Sequence, residues 1–104
     1  MKQLHVQIQS TRSPDLDVSE AINRFTCIAT DIRVTEGDDD GPYVNVDFIT
    51  EDVLFLWKSV QKVLHSTNGL AKAVIVVCEG ENGWDDYLLL HHFSPHETLD
   101  VLGE

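Results

Sequence analysis

Cysteine is scarce in this chain of 104 residues: Cys27 and Cys78 are the only two, and no CxxC spacing occurs. That argues against a disulfide framework or a thiolate zinc knuckle, and it leaves both as small residues expected inside apolar strands. Long apolar runs are missing as well. No stretch approaches the roughly 18 residues of a membrane span, and the start, Met1-Lys2-Gln3-Leu4-His5, lacks the apolar block of a secretion signal. The expected setting is cytoplasmic, away from membranes. There is no glycine-rich phosphate loop, no GxSxG elbow and no HExxH helix, and the Ser, Cys and His residues show no spacing of an activated pair. Asp85 and Asp86 adjoin in sequence rather than facing each other across a cleft, so they do not make a glycosidase pair. No catalytic residue, cofactor or metal is therefore assigned.

Cations are the third scarcity. Seven Lys and Arg stand against 18 Asp and Glu, a formal net charge of -11. The seven are scattered, so phosphate backbones and anionic membranes are repelled and direct nucleic-acid binding is disfavoured. A cationic protein partner is favoured instead. The competing explanation is that acidity serves only solubility.

What the chain does contain is apolar patterning, with 42% hydrophobic residues. A chain of this length buries roughly two thirds of its unfolded surface, enough for one core in one domain, residues 1–104. Between Thr50 and Gly69, Val53, Leu56, Trp57, Val60, Val63 and Leu64 recur at helical spacing, with Lys58, Ser59, Gln61, Lys62 and His65 opposite. Thr50 is placed as the N-cap and Asn68-Gly69 as a left-handed stop. Alternation marks strands at Lys2–Gln9, Arg24–Glu36, Tyr43–Ile49 and Tyr87–Phe93, and a continuous β-branched run marks a buried strand at Lys72–Cys78. A short helix or irregular connection covers Val18 to Phe25. Asn82-Gly83 turns a hairpin whose loop spans Glu79 to Asp86, and Ser94-Pro95-His96-Glu97 opens a terminal helix carrying Leu99 and Leu102. The expected fold is α+β: a single mixed sheet of about five strands in the order β, short α or loop, β, β, α, β, β, short α, with the main helix on one face.

A right-handed crossover through the main helix makes its flanking strands parallel, and this divides the acids between two ends of the sheet. One end gathers Glu51, Asp52, Glu79, Glu81, Asp85 and Asp86 with two aromatics, Phe55 and Trp84, which the core does not explain. A large ring among carboxylates suits a basic partner: charge steers the approach and the ring supplies close-range affinity. The other end holds Glu36 to Pro42. Glu36, Asp38, Asp40, Gly41 and Asp47 resemble an EF-hand calcium loop in part, but strands flank it and the last ligand is not Glu. His91, His92 and His96 suggest zinc, yet neighbours in a strand point to opposite faces.

The preferred reading is an acidic intracellular binding protein that neutralises a basic partner, in the manner of an immunity or antitoxin protein blocking a nuclease toxin, or of a nucleic-acid mimic. The alternatives are a self-associating structural or regulatory subunit, paired edge to edge through the first strand, and a metal-dependent enzyme.

Overall fold

The computed structural model describes residues 2–29, 31–38 and 41–101. Five strands and two α-helices follow in chain order: β1 (Lys2–Ile8), α1 (Val18–Ile28), β2 (Ile32–Asp38), β3 (Pro42–Thr50), α2 (Val53–Ser66), β4 (Val74–Gly80) and β5 (Gly83–His91). The strands form one sheet in the order β2-β3-β1-β4-β5. β3 and β4 run the same way, as the crossover through α2 requires. β1 lies between them, however, so every ladder is antiparallel and the sheet is not mixed. The first strand is thus the centre of the sheet, paired on both sides, and cannot offer an edge for self-association. The edge strands are β2 and β5.

Strand alternation sorts the side chains into two layers. Leu4, Val6 and Ile8 of β1, Val46 and Phe48 of β3, and Val74, Val76 and Cys78 of β4 are fully buried under the helices. Against them α2 sets Leu56, Trp57, Val60, Val63 and Leu64, the stripe that the helical period picks out, and α1 sets Ala21 and Phe25. Phe25 meets Phe48 edge to face with ring centroids 5.7 Å apart, a contact that adds roughly 1 kcal/mol to the area both rings bury.

The expected strand from Arg24 begins eight residues too early. Asp17 caps α1 through a bond from the Glu20 N–H, and the spacing of Ala21, Phe25 and Ile28 carries the helix through the apolar run to Ile28. Cys27 consequently lies on the outer side of a helix, exposed, rather than within a strand; Cys78 is buried as expected. The expected terminal helix is also absent from the described residues. Ser94 accepts weakly from the His96 and Glu97 N–H groups, after which the chain returns to the edge of β5. There the Asp100 N–H donates to the Leu89 carbonyl and the Leu89 N–H donates to an Asp100 carboxylate oxygen, both at 2.8 Å. Two bonds to a strand edge outweigh a helix too short to nucleate by itself. Leu102 lies outside the described residues.

Candidate functional site

The end of the sheet where β3 and β4 finish is built from three connections and the start of β1. α1 gives way to β2 there, β3 to α2, β4 to β5, and β1 begins. The start of α2 is the most tightly specified of these. Asp52, not Thr50, is the N-cap: its carboxylate accepts from the Phe55 N–H at 3.0 Å. Thr50 Oγ1 instead accepts from the Asp52 N–H at 3.1 Å. The cap holds the first turn still, and Phe55 projects from that turn with 68% of its surface exposed. It borders a groove with Ile28, Asp31, Ile49, Glu51 and Asp52. Asp31 and Ile49 are brought in by β2–β3 pairing, since the Ile49 N–H donates to the Asp31 carbonyl. Neither residue is marked by sequence spacing.

The other acids belong to the β4–β5 hairpin. Its connection is two residues, Glu81 and Asn82, shorter than the Glu79 to Asp86 loop expected, and Gly83 takes the left-handed conformation (φ 73°) that ends the turn. Asp86 braces this turn, accepting from the Asn82 N–H at 2.8 Å and from its side-chain amide at 3.3 Å. Glu79 completes the β1–β4 ladder by accepting from the Gln3 N–H at 3.1 Å. Glu81 and Asp85 are exposed. Trp84 is on β5, not in the loop, and is 42% exposed.

The eight expected residues therefore share one end of the sheet but form two lobes. Glu51, Asp52 and Phe55 sit beside β3. Glu79, Glu81, Trp84, Asp85 and Asp86 sit on the hairpin beyond β1. Lys2 starts β1 between the lobes, and its ammonium donates to the Gly80 carbonyl at 3.0 Å rather than to a carboxylate. The two ion pairs among the described residues, Arg24–Glu20 and His5–Asp47, involve none of the eight. Asp52, Glu79 and Asp86 are each engaged by an N–H group, while Glu51, Glu81 and Asp85 project without such a bond among the described residues. The arrangement combines rigid carboxylates, free carboxylates and two accessible rings at one pole.

At the opposite end the described residues do not come together as metal ligands. β2 and β3 flank the Glu36–Asp47 segment as strands, and Asp47 is spent on His5 in the middle of β3; Asp40 lies outside the described residues. His91 Nε2 bonds to the Ala71 carbonyl, and His92 Nδ1 accepts from the Ser94 N–H. Among the described residues no three His, Cys, Asp or Glu side chains converge as ligands. No described helix is long and apolar enough to cross a membrane. Comparisons with protein-family models, curated proteins and solved structures return no match to this chain.

Proposed function

We propose that the chain is an acidic cytoplasmic binding module that docks a basic protein at the sheet end where α2 begins, as an immunity or antitoxin-like inhibitor covers the cationic surface of a nuclease. One observation carries this reading. Phe55 stands exposed on a capped helix turn, beside Glu51 and Asp31, in a groove that no cation of the chain neutralises among the described residues. A net charge of -11 draws a basic surface in from a distance, carboxylates take the place of phosphates at its Lys and Arg side chains, and the ring is desolvated on contact. Trp84 and the hairpin acids extend the same footprint.

The test is affinity capture at low salt on immobilised wild-type chain and on Phe55→Ala and Glu51→Lys variants, with elution by rising salt. A basic protein held by the wild type, released as salt rises and lost from both variants supports the reading. The same proteins retained by all three chains would refute it.

A further inference from the structure

β2 pairs with β3 on one side only, so its backbone groups alternate between that partner and solvent. The bond from the Ile49 N–H to the Asp31 carbonyl fixes the phase of the alternation. With Ile32 opposite Phe48 and Arg33 opposite Asp47, it is Arg33, Thr35 and Gly37 that turn their N–H and C=O groups to β3. Ile32, Val34 and Glu36 turn theirs outward, where no backbone group among the described residues meets them. The other edge of the sheet is handled differently. There the N–H and C=O of Leu89 on β5 are both taken by Asp100 of the chain's own tail. Along β2, strand alternation sets Ile32, Val34, Glu36 and Asp38 on one face. Ile32 is half-buried, Val34 is 40% exposed, and Glu36 and Asp38 are exposed. Asp31 is exposed just before the strand, and Arg33 has Asp47 as its cross-strand neighbour.

We infer, resting on the docking of a basic protein proposed above, that β2 receives an extended cationic segment of that partner as an added strand. Backbone chemistry selects the shape of the occupant. An extended chain repeats its donors and acceptors every second residue, roughly 6.7 Å apart, which is the repeat that Ile32, Val34 and Glu36 present; a helix does not. Charge selects its composition. Asp31, Glu36 and Asp38 outnumber Arg33 along this edge, so Lys or Arg side chains fit beside Glu36 and Asp38, and an apolar side chain fits over Val34. A second copy of the chain would bring its own net charge of -11 to the same edge and is disfavoured. Position links the edge to the docking end: Asp31 precedes β2 and also lines the groove beside Phe55 and Glu51, so a segment paired along β2 ends at that groove.

The test is amide hydrogen exchange of the full chain, read by NMR, with a peptide of alternating lysine and valine as long as β2. Its control is the same peptide methylated at every backbone nitrogen, which keeps the charge but cannot donate to a strand. The plain peptide should slow exchange at Ile32, Val34 and Glu36 while leaving Arg33 and Thr35, already bonded to β3, little changed. The methylated peptide should bind more weakly by on the order of tenfold or more. Val34→Pro removes an outward N–H at an edge position, where proline is tolerated, and should weaken the plain peptide similarly. Glu36→Lys leaves the backbone donors in place and should also weaken it, a second reading should the proline variant fail to fold. Equal affinity for the two peptides, or exchange unchanged at Ile32, Val34 and Glu36, overturns the inference; so does a dimer in sedimentation velocity that Val34→Pro dissociates. Phe55→Ala should leave the peptide bound. A basic protein captured by the wild type and lost from Phe55→Ala, with no protection of β2 by the peptide, would therefore uphold the docking end and overturn the added strand alone.

Discussion

Asp52 holds Phe55 by its backbone: the Phe55 N–H donates to the Asp52 carboxylate at 3.0 Å, so the same residue that adds negative charge to the acidic end also fixes the ring's first turn. Charge and cap can be separated by substitution. Asp52→Asn keeps a capping oxygen and should lose only a few tenths of a kcal/mol, whereas Asp52→Ala should cost about 1 kcal/mol in urea unfolding. Equal losses would mean that the cap contributes nothing to the start of α2.

The two tryptophans differ in environment. Trp57 is buried on the inner face of α2 and Trp84 is exposed on β5. Trp84→Phe should leave blue-shifted emission that acrylamide quenches poorly, and Trp57→Phe should leave red-shifted, readily quenched emission. The reverse assignment would place Trp84 in the core and remove it from the docking end.

The thiols should behave as oppositely as their positions. Cys27 is exposed on α1 and Cys78 is buried in β4. Burial pushes the Cys78 thiol above its ordinary range; Lys2 opposes the shift, and Asp100 and Glu79 add to it. A raised pKa keeps the thiolate scarce near neutral pH. One thiol should therefore react at once with an aromatic disulfide reagent, and the second should react only as the protein unfolds. Two fast thiols would contradict the packing of β4.

Phe25 carries the claim that α1 runs through the apolar segment to Ile28. It is fully buried against Phe48. Phe25→Ala should cost roughly 3–5 kcal/mol, a large fraction of the 5–15 kcal/mol typical of a domain. Cys27→Ala, on the outer side of the same helix, should be nearly neutral. Similar small effects at both positions would mean a strand-like or irregular segment.

His5 and Asp47 are directly opposed on β1 and β3 and bonded through Nδ1 and Oδ1 on the face of the sheet away from the helices. Both are partly exposed, so a double-mutant cycle with His5→Gln and Asp47→Asn should return a coupling of about 0.2–1 kcal/mol. No coupling would mean that this bond adds nothing to the β1–β3 pairing.

Much of this architecture is legible in residue pattern alone, and the exceptions have identifiable causes. Alternation in β1 and β3 and the 3.6-residue period of α2 mark those elements because one face of each is buried and the other is wet. The end of α1 is obscured because Cys27, Ile28 and Ala29 form a short apolar run that suits either a helix or a strand. β1 reads like an edge strand, since Gln3, His5 and Gln7 line its second side. That side is polar because no helix covers it, not because the strand lacks a neighbour. The capping signals at Ser94 to Glu97 are genuine, yet they compete with the unpaired Leu89 N–H on β5, which Asp100 captures from a distance in sequence. Within the candidate site, Glu51, Asp52 and Phe55 are visible from the helix period and its caps. Asp31 and Ile49 are not, because only strand pairing brings them to the groove. Trp84 is displaced from the expected loop because Gly83 closes the hairpin within two residues.

The most direct test of the docking end follows binding kinetics to the captured basic partner as a function of ionic strength. The account predicts that wild-type association slows steeply as salt rises, that Glu51→Lys slows it at low salt, and that Phe55→Ala leaves association near the wild-type rate while dissociation quickens. Association indifferent to salt, or a Phe55→Ala complex that dissociates at the wild-type rate, would contradict it.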